Sequence, residues 1–222
     1  RAVAFLLLFG GTFIFASIDW LMSLEPAWDS TIFPVYCFAG LALGGTAAMA
    51  VMLICMKRRE VIPGVTKDHV YELSRIICAA STFWAYIWFS QYMLIYYANI
   101  TEEAVYFANR LTGGWAVLFV VNPVLNWLIP LVILISGSAR RSPRWLLRAC
   151  VVVLVGRWLD IYLLVMPASG RPVQFGLVEV LAAVTFAGIL ALFILTFLRS
   201  FRAAEPVPKQ DPYLVESLHL RV

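Results

Sequence analysis

Six long apolar stretches constrain this chain more than any other feature of its sequence. They run roughly from Ala2 to Leu24, Thr31 to Met56, Leu73 to Ala98, Trp115 to Ser136, Trp145 to Met166 and Phe175 to Leu198. Each holds the twenty or so residues that, at about 1.5 Å each, carry an α-helix across about 30 Å of hydrocarbon. Strands of a membrane barrel alternate polar and apolar residues, and these stretches do not. The chain is 62% hydrophobic and 14% charged, against about half and about a quarter in soluble domains, so a water-soluble core does not account for it. The predicted fold is therefore all-α: a polytopic membrane bundle of about six transmembrane helices over residues 1–198. A tail over residues 199–222 follows, in which Pro206, Pro208 and Pro212 prevent an unbroken helix. The chain opens on Arg1 instead of Met and enters its first apolar stretch without a cleavage site; the expectation is a fragment of a larger bundle.

Charge placement predicts orientation. Lys57, Arg58, Arg59 and Lys67 join the second and third stretches, Arg140, Arg141, Arg144 and Arg148 the fourth and fifth, and Arg199, Arg202 and Lys209 lie in the tail. The opposite connections carry Glu25 and Asp29, then Glu102, Glu103 and Arg110, then Arg171. The positive-inside rule puts both ends in the cytoplasm, which six crossings satisfy, and no nucleic-acid partner is expected. Trp20, Trp28, Tyr96, Tyr97, Trp115 and Trp145 suit headgroup depth, an anchoring role that implies no ligand. Gly40 and Gly44 form a G-x-x-x-G that favours close helix packing.

Polar groups within hydrocarbon are the informative exceptions, because each must pair, face protein or line a hydrated path. Arg157 and Asp160 lie three apart in V-G-R-W-L-D-I-Y and share a helix face, where an ion pair costs less than either charge alone. They read equally as a proton relay or quinone-pocket pair and as a lock on helix register. Asp19 and Glu179 fall toward one side of the membrane, either as the mouth of a proton half-channel or simply solvated at the interface. Asn122 and Asn126 stand one turn apart in N-P-V-L-N-W-L-I-P, where Pro123 and Pro130 remove backbone donors and bend the helix. The pair suits a hydrated kink or, more commonly, interhelical hydrogen bonds. Gln91 shares a face with Ala80, Trp84 and Ala98, and is suited to a quinone carbonyl or a neighbouring helix.

Metal chemistry has little to work with. The histidines, His69 and His219, fall outside the apolar stretches, so no intramembrane bis-histidine haem site is expected. Cys37, Cys55, Cys78 and Cys150 are scattered without a C-x-x-C, which argues for small buried hydrophobes and no cluster or disulfide framework. The chain is expected to hold no metal cofactor, and any redox role then needs quinone or a cofactor carried by a partner.

Several strings carry a resemblance. They are S-I-D-W-L-M-S-L-E-P-A-W-D-S-T-I-F-P-V-Y from Ser17 to Tyr36 and F-W-A-Y-I-W-F-S-Q-Y-M-L-I-Y-Y-A-N-I-T-E-E from Phe83 to Glu103. Shorter ones are N-W-L-I-P-L-V-I-L-I-S from Asn126, R-W-L-D-I-Y from Arg157 and D-P-Y-L-V-E-S-L-H-L from Asp211. Together they resemble the NrfD-like family of polysulfide reductase membrane subunits, most closely the branch found as the second such subunit, ActF, of bacterial alternative complex III. The resemblance implies a non-haem inner-membrane subunit of a quinol:electron-acceptor oxidoreductase. It also implies further helices before the region seen here. Implied partners are a second NrfD-like subunit, an iron–sulfur subunit, c-type cytochrome subunits and a cytochrome c oxidase downstream. The resemblance leaves open whether this subunit binds quinol or mainly conducts protons. A membrane anchor without a site of its own, and a secondary transporter whose internal repeat is not evident here, are the other readings.

Overall fold

The computed structural model describes residues 2–62, 64–173 and 176–203, and all regular structure among them is helical. In chain order the main helices are α1 (Ala2–Trp20), α2 (Phe33–Arg58), α3 (Lys67–Ala98), α4 (Thr101–Arg110), α5 (Gly113–Ile133), α6 (Pro143–Val165) and α7 (Leu177–Ala203). The expected tail prolines, His219 and the string from Asp211 lie outside the described residues. The segments built on α1, α2, α5, α6 and α7 are five helices long and apolar enough to cross a membrane.

The third expected crossing lies in α3. Its 32 residues reach about 48 Å at 1.5 Å per residue, more than a bilayer needs. Its Trp, Tyr, Ser and Gln side chains make it less apolar than the other five. It also starts six residues before the apolar stretch because Thr66 and His69 build a capping box. The Thr66 N–H donates to His69 Nδ1 at 3.1 Å, and the His69 N–H donates to Thr66 Oγ1 at 3.4 Å. His69 is thereby a helix cap.

α2, α3, α5 and α6 enclose the core. Ala39, Gly40, Leu43, Ala47, Ala50 and Ile54 recur at three- and four-residue steps along the buried face of α2, and their small size lets α3 and α6 approach closely. Val70, Ile77 and Trp84 of α3 and Leu146, Ala149 and Val153 of α6 complete the packing. α1 is peripheral, with Phe13 set edge-on to Phe38 at 6.1 Å and Ser17 its buried residue. None of α7's span is buried.

The connection expected between the third and fourth crossings is itself helical. Asn99, left-handed at φ 47°, ends α3, and α4 follows with Glu102 and Glu103 in its first turn and Arg110 in its last. That charge order complements the helix dipole.

α5 is interrupted where its prolines fall. Residues Val124–Leu128 form a π-helical turn, in which the Ile129 N–H reaches back five residues to the Val124 carbonyl. Pro130 has no N–H to give the Asn126 carbonyl, four residues earlier. Ser81 of α3 supplies the missing donor, its Oγ lying 2.5 Å from that carbonyl oxygen. The kink expected from the sequence is thus a π turn whose freed acceptor is satisfied by a neighbouring helix.

Candidate functional site

The interior of the bundle holds one connected polar network, assembled around Asp160. Asp160 and Arg157 face the core from α6 and pair through Arg157 Nη2 and Asp160 Oδ2 at 2.8 Å. The Asp160 side chain is 1% exposed and that of Arg157 11%, so both charges are taken out of water and must be compensated locally. The second carboxylate oxygen, Oδ1, accepts the Tyr36 hydroxyl from α2 and the Asn122 amide of α5, the latter at 2.5 Å. Three helices thus converge on one carboxylate, which accepts from a phenol and an amide and is ion-paired with a guanidinium.

The network continues along α5. Asn126 Nδ2 donates to Asn122 Oδ1 at 2.7 Å and to the Asn122 carbonyl at 3.1 Å. Space for these groups comes from glycine. A Cβ on Gly156 would stand 2.9 Å from the Asn126 side chain. A Cβ on Gly40 would overlap the Arg157 guanidinium, and one on Gly44 would meet Arg157 Cγ at 3.4 Å. The G-x-x-x-G of α2 is therefore a bed for an arginine side chain. Trp84 of α3 lies on the other side, its ring centroid 5.5 Å from Arg157 Cζ, a cation–π contact. Arg157 Nη1 has no hydrogen-bond acceptor among the described residues.

A cavity of about 20 Å³ adjoins Asp160, about the space one water molecule needs. Tyr36, Gln91, Asn122 and Asp160 bring polar groups to its wall, with Trp88 and Phe119 among its apolar lining. The Gln91 amide nitrogen is buried without an acceptor among the described residues. Such a cavity is polar enough to hold water, and it sets a carboxylate, a phenol and a carboxamide around one position.

Of the residues singled out in the sequence, Gln91, Asn122, Arg157 and Asp160 meet in this region, and Asn126 joins through Asn122. Asp19 and Glu179 stand elsewhere. Asp19 is exposed at the end of α1, and Glu179 accepts the Gly176 N–H at 2.7 Å at the start of α7. Neither lines the cavity.

Sequence reading missed Tyr36, which is 124 residues from its partner Asp160 and sits in an ordinary aromatic setting. It also placed Arg110 in a surface loop, whereas that side chain is 2% exposed. Arg110 Nε and Nη2 donate to the Leu163 and Leu164 carbonyls at the end of α6, at 3.0 and 3.2 Å. Nη1 donates to the Tyr106 carbonyl at 2.9 Å. Nη2 also pairs with Glu25 at 2.7 Å, and the guanidinium lies 3.5 Å from the centroid of the Tyr106 ring. Trp28 stacks on Tyr106 at 3.9 Å. The signal for Arg110 was its position in the last turn of an amphipathic helix, where a cation also reaches the carbonyl end of a neighbouring helix.

The family model described as polysulphide reductase, NrfD, matches residues 1–172, which take in α1 to α6 and the entire polar network. No curated protein matches the chain.

Proposed function

We infer the function from one premise: the chain belongs to the polysulphide reductase NrfD family. It is a membrane subunit of a family whose members interact with membrane quinone and partner with iron–sulfur and cytochrome subunits. Our finer reading is a non-haem subunit of a quinol:electron-acceptor oxidoreductase of the alternative complex III type in a bacterial inner membrane. Its C-terminus faces the cytoplasm, and electrons pass through clusters and haems of other subunits. In this reading the chain contributes proton conduction.

The observation that carries the reading is Asp160, a buried carboxylate held by Tyr36, Asn122 and Arg157 beside a cavity of about 20 Å³. A carboxylate in contact with a phenol and a space for one water has the parts of a proton-transfer step, since each group both binds and releases a proton within hydrogen-bond reach. Gln91, whose amide also lines the cavity, would orient that water.

Contact with quinol finds support on the far side of Trp88. That ring lines both the polar cavity and an apolar groove of about 450 Å³, formed with Tyr86, Phe89, Pro123 and Trp127. The apolar, aromatic lining of that groove suits the hydrocarbon tail of a quinone.

The test is Asp160→Asn in the assembled complex, reconstituted in vesicles. An amide keeps the acceptor for Tyr36 and Asn122 but cannot take up a proton at neutral pH. The expected result is normal haem and iron–sulfur content with proton translocation per quinol strongly reduced. Unchanged translocation in an assembled variant would sink the reading. The anchor reading draws on the same ion pair, and it expects substitution to lose the complex instead of its proton movement.

A further inference from the structure

At its basic end, α2 is closed by an unusual turn. Glu60 adopts φ 57°, so that its N–H bonds the Lys57 carbonyl and the Val61 N–H bonds the Met56 carbonyl, each at 3.1 Å. These two bonds form a Schellman closure, which folds the residue after the turn back over the helix end. Val61 and Met56 consequently help to wall a groove of about 350 Å³ between α2 and α7, with Ile194, Phe197 and Phe201 on the α7 side. Arg59 is the charged residue of that wall.

The charge at this end is one-sided. Lys57, Arg58 and Arg59 are consecutive, and Arg199 of α7 follows Leu198, which also lines the groove. No carboxylate among the described residues pairs with any of the four. Glu60 is the one acid in the turn, and it is exposed. The groove is therefore hydrocarbon along its length and cationic at its end, with both walls built by helices long and apolar enough to cross a membrane.

We propose that this groove binds an anionic phospholipid, one acyl chain lying between α2 and α7 and the phosphate at Arg59, with Lys57 and Arg58 adding attraction. Charge complementarity selects the occupant: three adjacent cations against one acid favour a headgroup with net negative charge over a zwitterionic one. The bound chain supplies α7 with packing that it lacks, since none of its own span is buried. α7 also lies beyond residues 1–172 of the family match, so this site needs a wall outside it.

Native mass spectrometry of the purified full-length protein, titrated with phosphatidylglycerol or with phosphatidylcholine of the same acyl chains, tests the proposal. Phosphatidylglycerol should bind more tightly, and Arg59→Gln should weaken it about fivefold, the equivalent of about 1 kcal/mol per basic residue at a membrane surface, while weakening phosphatidylcholine less. Ile194→Trp, which fills the groove without altering charge, should weaken both lipids. Equal binding of the two lipids by the wild type, or phosphatidylglycerol binding that neither substitution alters, overturns the proposal. Should Arg59→Gln fail to fold, the lipid comparison in the wild type and the Ile194→Trp variant decide it.

Discussion

Two buried arginines divide this protein. Arg110 lies where α4 meets the end of α6, and every nitrogen of its guanidinium is engaged: three main-chain carbonyls and Glu25, with the Tyr106 ring against its face. Arg157 lies at the centre of the bundle with one carboxylate, the Trp84 face and an Nη1 that has no acceptor among the described residues. At the first, every guanidinium nitrogen has an acceptor, and the side chain holds α4 to the carbonyl end of α6. The second is incomplete, beside a cavity, and its carboxylate is shared with a phenol. Saturation marks a lock, because every change of partner costs a hydrogen bond. At the second, the guanidinium keeps its proton, and the group that exchanges one in our reading is Asp160 beside the cavity.

Substitutions that strike the two sites differently sharpen this contrast. The largest loss of stability is expected from Arg110→Met, which strands Glu25 and three carbonyls; breaking a buried pair of this kind costs about 3–5 kcal/mol. Thermal unfolding of the purified protein measures it, and a midpoint near that of the wild type would deny the lock. Gly40→Ala comes next. Its methyl group collides with the Arg157 guanidinium, an overpacking cost of about 1–3 kcal/mol, and the displaced arginine should weaken the pair with Asp160. If proton translocation in the assembled Gly40→Ala complex equals that of the wild type, the pairing does not matter to transport. The smallest effect belongs to Ser81→Ala, which removes the donor from the carbonyl that Pro130 frees. That loss is about 1 kcal/mol, read from the same unfolding curves, and a null effect would mean that water replaces the hydroxyl.

Part of this contrast was legible in the sequence. Five of the six apolar stretches located helices long and apolar enough to cross a membrane, and the three-residue spacing of Arg157 and Asp160 put them on one face of α6. Pro123 and Pro130 marked a break in α5, although a π turn and its rescue by Ser81 depend on a neighbouring helix. Tyr36 was hidden because its partnership arises from packing across 124 residues of chain. Gly40 and Gly44 matched a helix-packing motif, yet what they accommodate is an arginine side chain that no local pattern reveals. Arg110 was misplaced because its connection was not seen as helical. Two of its three carbonyl partners belong to α6, more than fifty residues away. In each case the missing information is tertiary: local spacing fixes which residues share a face, and only packing fixes what that face meets.

The measurement that bears most directly on the central claim uses Arg157→Met combined with Asp160→Asn. Removing both charges avoids a stranded ion, so stability should stay within about 1–2 kcal/mol of the wild type, and the complex should assemble with its full complement of haem. Proton translocation per quinol oxidised is then compared in vesicles. The account predicts an assembled, stable complex whose proton movement is largely lost; an assembled complex that moves protons as the wild type does would contradict it.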